Sequence, residues 1–186
     1  QIVEGSYFDN RPIVTSDRFF VLNAGTGERR WEYPARGGIL NPSITIGTRY
    51  VYFVESLNRE TASKGRATAK DLLEKSGAKL VALDIETGSI AWEETMAFPE
   101  QVQNLFTLYA EDRLAMVFSR NAKTVHYDLR SFSGKTGKPL WSVSQDNGQR
   151  PNGDHGEQDH HPLILDGILV VEPMAYDLAT GKRLAE

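Results

Sequence analysis

The sequence contains no cysteine, which excludes disulfide bonds, thiolate metal ligands and a cysteine nucleophile from these 186 residues. It also lacks long hydrophobic runs. The longest apolar runs are short, such as Ile168–Val171, whereas a bilayer-spanning helix needs roughly 20 residues. No basic block stands out and the net charge is -4, so no nucleic-acid partner is expected. No signal peptide is visible and Gln1 stands first, so we expect a piece of a longer protein.

What the chain does contain is a repeated turn. A Thr-Gly pair occurs four times, and its glycines, 61, 49 and 44 residues apart, are Gly27, Gly88, Gly137 and Gly181. Four positions before each glycine is a short polar side chain that can cap a turn; these residues are Asn23, Asp84, Ser133 and Asp177. The pattern predicts β-hairpins in which each glycine adopts a positive φ.

The strands of these hairpins also share a pattern. Four residues after the glycine comes Trp31, Trp92 or Trp141, while the fourth copy has Ala185. The residue seven before the glycine is apolar in three copies, and Arg130 is the mismatch. Period-two alternation of this kind predicts a strand with one packed face.

Each hairpin is preceded by two further strand candidates. In the second to fourth copies these are Ser43–Ile46, Tyr50–Val54, Leu105–Tyr109, Leu114–Ser119, Leu163–Leu165 and Ile168–Val171. In the first copy, Ile2–Phe8 and Pro12–Thr15 match more loosely. About four strands per unit, at a period near 44–49 residues, are typical of a β-propeller blade. We therefore divide the chain into units at about 1–33, 34–95, 96–144 and 145–186.

Residues 55–78 interrupt the second unit with a polar segment that shows no strand pattern. Thr68, followed by Asp71 and later by Gly77, predicts one or two capped helical turns over Thr68–Lys75. The segment is either a lid or partner-contact element or a solvated insertion within a hairpin.

These motifs resemble the PQQ-like propeller repeat, most clearly in Leu83-Asp84-Ile85-Glu86-Thr87-Gly88 with Trp92, and in Tyr176-Asp177-Leu178-Ala179-Thr180-Gly181. That repeat occurs in quinoprotein alcohol dehydrogenases and in noncatalytic relatives such as the scaffold lipoprotein of outer-membrane β-barrel assembly. The resemblance implies an all-β fold: a β-propeller of four-stranded antiparallel blades. Family propellers usually have seven or eight blades, so this chain is expected to be about half of one, and a ring closed by four blades is the alternative. Each tryptophan is then a wedge between blades, and the remaining blades are partners of this segment.

The family's dehydrogenases hold PQQ between a tryptophan and a disulfide of adjacent cysteines, beside a Ca²⁺ bound by Glu and Asn. This chain has no cysteine, its three tryptophans occupy the wedge position, and no matching Glu, Asn and Asp set is found. No cofactor is therefore predicted for this chain, while PQQ or a divalent metal in the full-length protein stays open.

One segment is unusually rich in groups that bind ligands. The sequence from Asn147 to Pro162 carries seven such residues: Arg150, Asp154, His155, Glu157, Asp159, His160 and His161. Imidazoles and carboxylates at this density bind divalent metals or transfer protons near neutral pH. Adjacent side chains of an extended segment point to opposite sides, so at most one of His160 and His161 easily joins His155. The alternative is a solvated polar loop.

We predict specific roles for these residues. The metal ligands would be His155 and His160 with Asp159, and the ligand contacts would be Arg150, Asp154, Glu157 and His161. By resemblance, the loop would lie at the channel face of the propeller.

Two functions are consistent with the sequence. The first is a noncatalytic binding or scaffold module, periplasmic or otherwise extracytoplasmic by resemblance, whose channel face binds a protein, a glycan or a small molecule. The second is part of a PQQ- or metal-dependent oxidoreductase whose active site lies partly outside this chain.

Overall fold

The structure is a computed structural model that describes residues 12–148 and 161–184. Of these residues, 58% lie in strands and 7% in helices, so the described chain is all-β, as the turn pattern predicts. Its strands are β1 (Ile13–Leu22), β2 (Arg29–Leu40), β3 (Thr45–Ile46), β4 (Tyr50–Ser56), β5 (Arg66–Ala67), β6 (Ala78–Asp84), β7 (Ile90–Met96), β8 (Val102–Ala110), β9 (Arg113–Asn121), β10 (Val125–Ser133), β11 (Pro139–Asp146), β12 (Leu163–Leu165), β13 (Ile168–Val171) and β14 (Met174–Asp177).

The helices are short. Asn41–Ser43 and Arg59–Thr61 form 3₁₀ turns, and Lys70–Glu74 forms a five-residue π-helical segment. The last lies within the predicted Thr68–Lys75, and Thr68 Oγ1 accepts a hydrogen bond from Asp71 N at 3.2 Å, as a helix cap does. Within the two described ranges, no helix is both long enough and apolar enough to span a bilayer.

All strand pairs are antiparallel and form three sheets. β8 to β11 form a four-stranded sheet in chain order. β3, β4, β6 and β7 are neighbours within a seven-stranded sheet, and β3 covers only the second half of the predicted strand Ser43–Ile46. β12 to β14 form a three-stranded sheet, extended by an isolated bridge between Tyr176 and Arg183.

The first unit differs from its predicted form. Pro12–Thr15 is not a separate strand, because residues from Ile13 onward continue as β1 to Leu22, with a register shift between Ser16 and Arg18 instead of a turn. β2 likewise continues to Leu40, and its pairing of Ile39 with Glu55 joins the first unit to the second in one sheet. Ile2–Phe8 lies outside the described residues.

The four predicted turns share one geometry. Each glycine has a φ between +69° and +74°, and its N–H donates to the carbonyl of the residue four before it at 2.8 Å. The capping side chains also act as predicted: Asp177 Oδ1, for example, accepts from Thr180 N at 2.8 Å. Left-handed backbone is strained for residues with a Cβ, so glycine is required at this point of the hairpin.

The core lies between successive units in three clusters. Val81 and Leu83 of β6 pack with Tyr33 and Phe53 between the first and second units. A second cluster joins the second and third units, and a third joins the third and fourth units. β9 is buried along most of its length because sheets cover both of its faces, and its sequence is accordingly a nearly continuous apolar run.

The interpretation of residues 55–78 as a solvated insertion without strands is wrong for its central part. Leu72 and Leu73 are fully buried, and β5 within the segment pairs with β1. Ser56 Oγ donates to Leu72 O at 2.7 Å, which fixes the helical segment against the end of β4. The two adjacent leucines follow neither a strand nor a long-helix period, so the sequence pattern could not reveal their burial.

Candidate functional site

The predicted ligand-binding loop falls almost wholly outside the described residues. Six of its named residues are affected: Arg150, Asp154, His155, Glu157, Asp159 and His160. His161 is described: it is exposed, and its ring centroid lies 4.5 Å from that of Phe106 on β8. Among the described residues, no group of three or more His, Cys, Asp or Glu is placed to hold a metal ion. The metal and ligand roles of the loop therefore stay predictions.

The structure instead shows how the tryptophans are used. Trp31 lies over Gly88, Trp92 over Gly137 and Trp141 over Gly181. A Cβ built on any of these three glycines would come within 2.6 Å of the indole ring. Each glycine is therefore needed twice, for its positive φ and for the space that the indole fills.

Each indole is also held by a hydrogen bond in the same register. The Nε1–H donates to the carbonyl of the residue three before the glycine: Trp31 to Ile85 at 2.8 Å, Trp92 to Gly134 at 3.0 Å and Trp141 to Leu178 at 3.0 Å. We call this arrangement of a turn glycine and the carbonyl three residues earlier a tryptophan socket. The wedge role predicted from the spacing agrees with this geometry.

The first turn presents the same socket without a tryptophan. Gly27 has the same φ of +74°, but a Cβ added there would meet nothing within 4 Å. The carbonyl at the acceptor position of this socket belongs to Ala24. Beside it, Phe20 and Leu22 are 50% and 48% exposed, whereas the equivalent Val81 and Leu83 are fully buried. In the first unit, the socket and the apolar face beside it are thus uncovered among the described residues, whereas the sockets of the other three units are filled.

A buried glutamate, which sequence reasoning missed, joins the first two units. Glu55 is 1% exposed, accepts a hydrogen bond from Tyr33 Oη at 2.7 Å and accepts another from Gly37 N at 3.1 Å. Arg36 adds its backbone N–H and pairs its guanidinium with Glu93. Burial, and next the bond to Glu55, raise the pKa of Tyr33, so its proton stays in place at physiological pH.

The glutamate could not be identified from the sequence because it ends an apolar run and looks like the first residue of a polar segment. With a fourth contact from Arg36 Nη2 at 3.5 Å, these interactions are structural: they satisfy a buried charge, as a folded protein requires. No open position for a substrate remains on this carboxylate among the described residues.

An open groove lies on the third unit, on the face of its sheet that packs against the second unit. Its cavity of about 500 Å³ is bounded by residues 97–99 on one side and by β9 to β11 on the other. Arg130, the mismatch in the repeat pattern, lines it, and burial lowers the pKa of its guanidinium, partly offset by Asp128. It is one of the concave polar features that the packing leaves open in the described chain, and Arg130 and Ser142 also line its neighbour of about 610 Å³.

Comparison with known proteins agrees with the repeat architecture. A protein-family model described as outer membrane protein assembly factor BamB matches residues 72–186. A curated relative of that name from Nitrosomonas eutropha is 28% identical over 127 residues, which cover 67% of this chain and 27% of the relative. Another, from Burkholderia pseudomallei, is 26% identical over 171 residues, which cover 87% of this chain and 37% of the relative. The chain thus spans about a third of the length of these relatives.

Solved structures with a similar fold include a europium-containing methanol dehydrogenase, with a TM-score of 0.47 and 12% identity over 68% of this chain and 21% of that one. A quinohemoprotein alcohol dehydrogenase from Comamonas testosteroni has a TM-score of 0.43 and 16% identity, over 72% of this chain and 20% of that one. At these TM-scores and identities nothing further follows from the likeness. Because the family model covers more than half of the chain, the protein belongs to the PQQ-like repeat family described as outer membrane protein assembly factor BamB.

Proposed function

We propose that this chain is a noncatalytic segment of a larger PQQ-like β-propeller and acts as a protein-binding scaffold in the bacterial periplasm. The observation that carries the proposal is the use of the tryptophans: all three indoles are committed to sockets between units. The residues that repeat most regularly therefore hold units together, and none of them is free to clamp a planar cofactor.

The open socket at Gly27 supports the larger propeller. In three units the turn glycine is covered by a tryptophan of the preceding unit. The socket at Gly27 has the same backbone geometry, so a tryptophan of a further unit would fit there. Blades of a propeller bury their faces only against neighbours, and exposed Phe20 and Leu22 are the side chains that such a neighbour would cover. The segment then makes up about half of a seven- or eight-bladed ring.

The names of the relatives point to the process that the scaffold serves. Both are described as assembly factors for outer membrane proteins, which implies a protein partner. First strands of propeller blades line the channel, and here two of them, β3 and β12, expose Ile46, Leu163 and Leu165 at 70%, 49% and 63%. Contiguous patches of exposed apolar side chains mark protein interaction sites, and we infer that these three residues belong to one such patch. We place the partner surface there, next to His161.

The larger propeller is tested by Gly27→Ala and Gly88→Ala in the full-length protein, with chemical denaturation as the measurement. If a tryptophan of another unit fills the first socket, both substitutions cost about the same, roughly 2–4 kcal/mol from the strained φ and the clash with the indole. If nothing fills it, Gly27→Ala costs only about 1–2 kcal/mol from the backbone. The second result would contradict closure by a further unit.

The scaffold role is tested by photo-crosslinking in living bacteria. A crosslinking amino acid at Leu165 should join the protein to a component of outer-membrane protein assembly, while the same group at Leu140, an exposed residue of β11, should not. Equal crosslinking at both positions would reject the proposed surface. Alcohol oxidation by the purified protein with PQQ and Ca²⁺ would instead favour the oxidoreductase.

A further inference from the structure

Arg130 stands out among the arginines of the groove because no carboxylate contacts it in the described residues. Its Nη1 donates to Ala97 O at 3.2 Å, and its guanidinium carbon lies 5.0 Å from the ring centroid of Phe118 and 5.5 Å from that of Phe98. A guanidinium has five N–H donors, so four of them make no hydrogen bond to a described residue. Its neighbour Arg120, by contrast, pairs with Asp128 at 2.5 Å.

Two hydroxyl groups lie on the same face. Ser142 of β11 is paired directly with Arg130, and Ser144 is paired with Asp128, so all four side chains leave the sheet on one side. Directly paired residues have Cβ atoms about 4.5–5.5 Å apart, so the Ser142 hydroxyl lies beside the base of the Arg130 side chain, and both residues line the cavity. Both serines are exposed, and their hydroxyl groups make no hydrogen bond to a described residue.

The charge and the shape of the cavity favour a particular ligand. Its formal charges are two guanidiniums and one carboxylate, which leaves an excess of one positive charge at Arg130. Phe98 and Pro99 supply an apolar wall opposite the serines. A volume of about 500 Å³ lies within the range of small-molecule sites, and such sites combine apolar walls with few polar groups.

The repeat shows that packing does not require this arginine. The equivalent residues are Phe20, Val81 and Met174, so an apolar side chain serves at this position in every other unit. An arginine here removes apolar contact between the sheets, leaves the groove open and directs a positive charge into it.

We propose that the groove at Arg130 binds a small organic carboxylate with an aromatic or other flat apolar body. The carboxylate accepts two parallel hydrogen bonds from the free edge of the guanidinium, which is the bidentate geometry that arginine offers to carboxylates, and Ser142 adds a hydroxyl donor in the same cavity. The apolar body lies against Phe98 and Pro99. Ser144 adds a hydroxyl donor at the far end of the cavity.

Benzoate titrated into the full-length protein tests the site, with amide chemical shifts and calorimetry as readouts. We expect millimolar binding, with shifts concentrated at Ala97, Ser142 and Ser144. Benzamide, the neutral analogue, should bind at least about tenfold more weakly, because hydrogen bonds to charged groups are about twice as strong as neutral ones. The proposal would be overturned if no binding were detected at about 50 mM benzoate, or if both probes bound equally.

Substitutions locate the binding. Arg130→Met introduces the residue of the fourth unit and should fold normally while weakening benzoate binding by about tenfold or more. Arg130→Lys keeps the charge but loses the planar fork, so an intermediate loss is expected. Arg49→Met is the matched control, since Arg49 also lies over an aromatic ring, that of Tyr50, but pairs with Asp84 at 3.3 Å. Unchanged binding in both Arg130 variants, or an equal loss in Arg49→Met, would show that the site lies elsewhere.

Discussion

We call the contact between two successive units a seam. The first seam (first and second units) and the second seam (second and third units) share the same socket but differ in the packing behind it. Each has a tryptophan over the next turn glycine and an indole hydrogen bond in the same register. Inside the first seam, Val81 is fully buried among large hydrophobic side chains. Inside the second, Arg130 occupies the same repeat position and a groove remains. The repeat thus determines the contact at the socket, while one variable position decides whether the seam behind it is filled.

Trp92→Ala should have the largest effect, because it removes the contact that the two seams share. We expect the free energy of unfolding to fall by about 3–5 kcal/mol, as for other buried aromatic side chains. Denaturant titration of the full-length protein measures it, with Leu140→Ala on the exposed side of β11 as the control. A loss under about 1 kcal/mol would mean that the socket does not hold the second seam together.

Leu72→Ala tests the closed part of the second seam. Leu72 is fully buried in the cluster that also contains Leu105 and Phe118, so truncation should cost about 2–5 kcal/mol. Leu57, 37% exposed at the start of the same segment, is the control and should lose far less on truncation to alanine. Equal, small losses would restore the interpretation of a solvated insertion.

Tyr33→Phe tests the hydrogen bond to the buried carboxylate in the first seam. It removes the donor to buried Glu55, and a hydrogen bond to a charged group contributes about 1.5–3 kcal/mol. Tyr50→Phe is the control, because the Tyr50 hydroxyl makes no hydrogen bond to a described residue. If both variants unfold at the same denaturant concentration as the parent protein, Glu55 is adequately satisfied by backbone N–H groups alone.

The smallest effect concerns the turn caps, which differ between units in charge. Hydrogen bonds from Thr180 hold the pKa of Asp177 below its ordinary value of 3.8, whereas Asn23 at the first cap does not titrate. A lowered folded pKa stabilises the protein above the ordinary pKa, and this contribution is lost as the pH falls below it through the folded value. Thermal unfolding between pH 5 and pH 2 should therefore show a shallower acid loss in Asp177→Asn. An identical pH profile would contradict this role of the cap.

Features that repeat could be predicted from the sequence, and features that occur once could not. Gly88, Asp84 and Trp92 recur at fixed offsets, so their turn, cap and wedge roles followed from alignment of the copies. Glu55 and Leu72 occur at positions without counterparts in the other units, and their burial depends on which distant strands meet there. The mismatch at Arg130 was visible, but only the structure places it in an open groove.

The segment between β4 and β6 has a consequence for the dynamics of the chain. Units of a repeat protein contact only their neighbours, so they can open one at a time. Here β5 pairs with β1 of the first unit, Ser56 is bonded to Leu72 within the second, and Glu74 Oε1 accepts from Val102 N of the third at 3.2 Å. Breaking one of these units also frees the leucines that the others bury. We therefore expect amide protons of β1, β4 and β8 to exchange with solvent through a single shared opening, so that three units behave as one cooperative block.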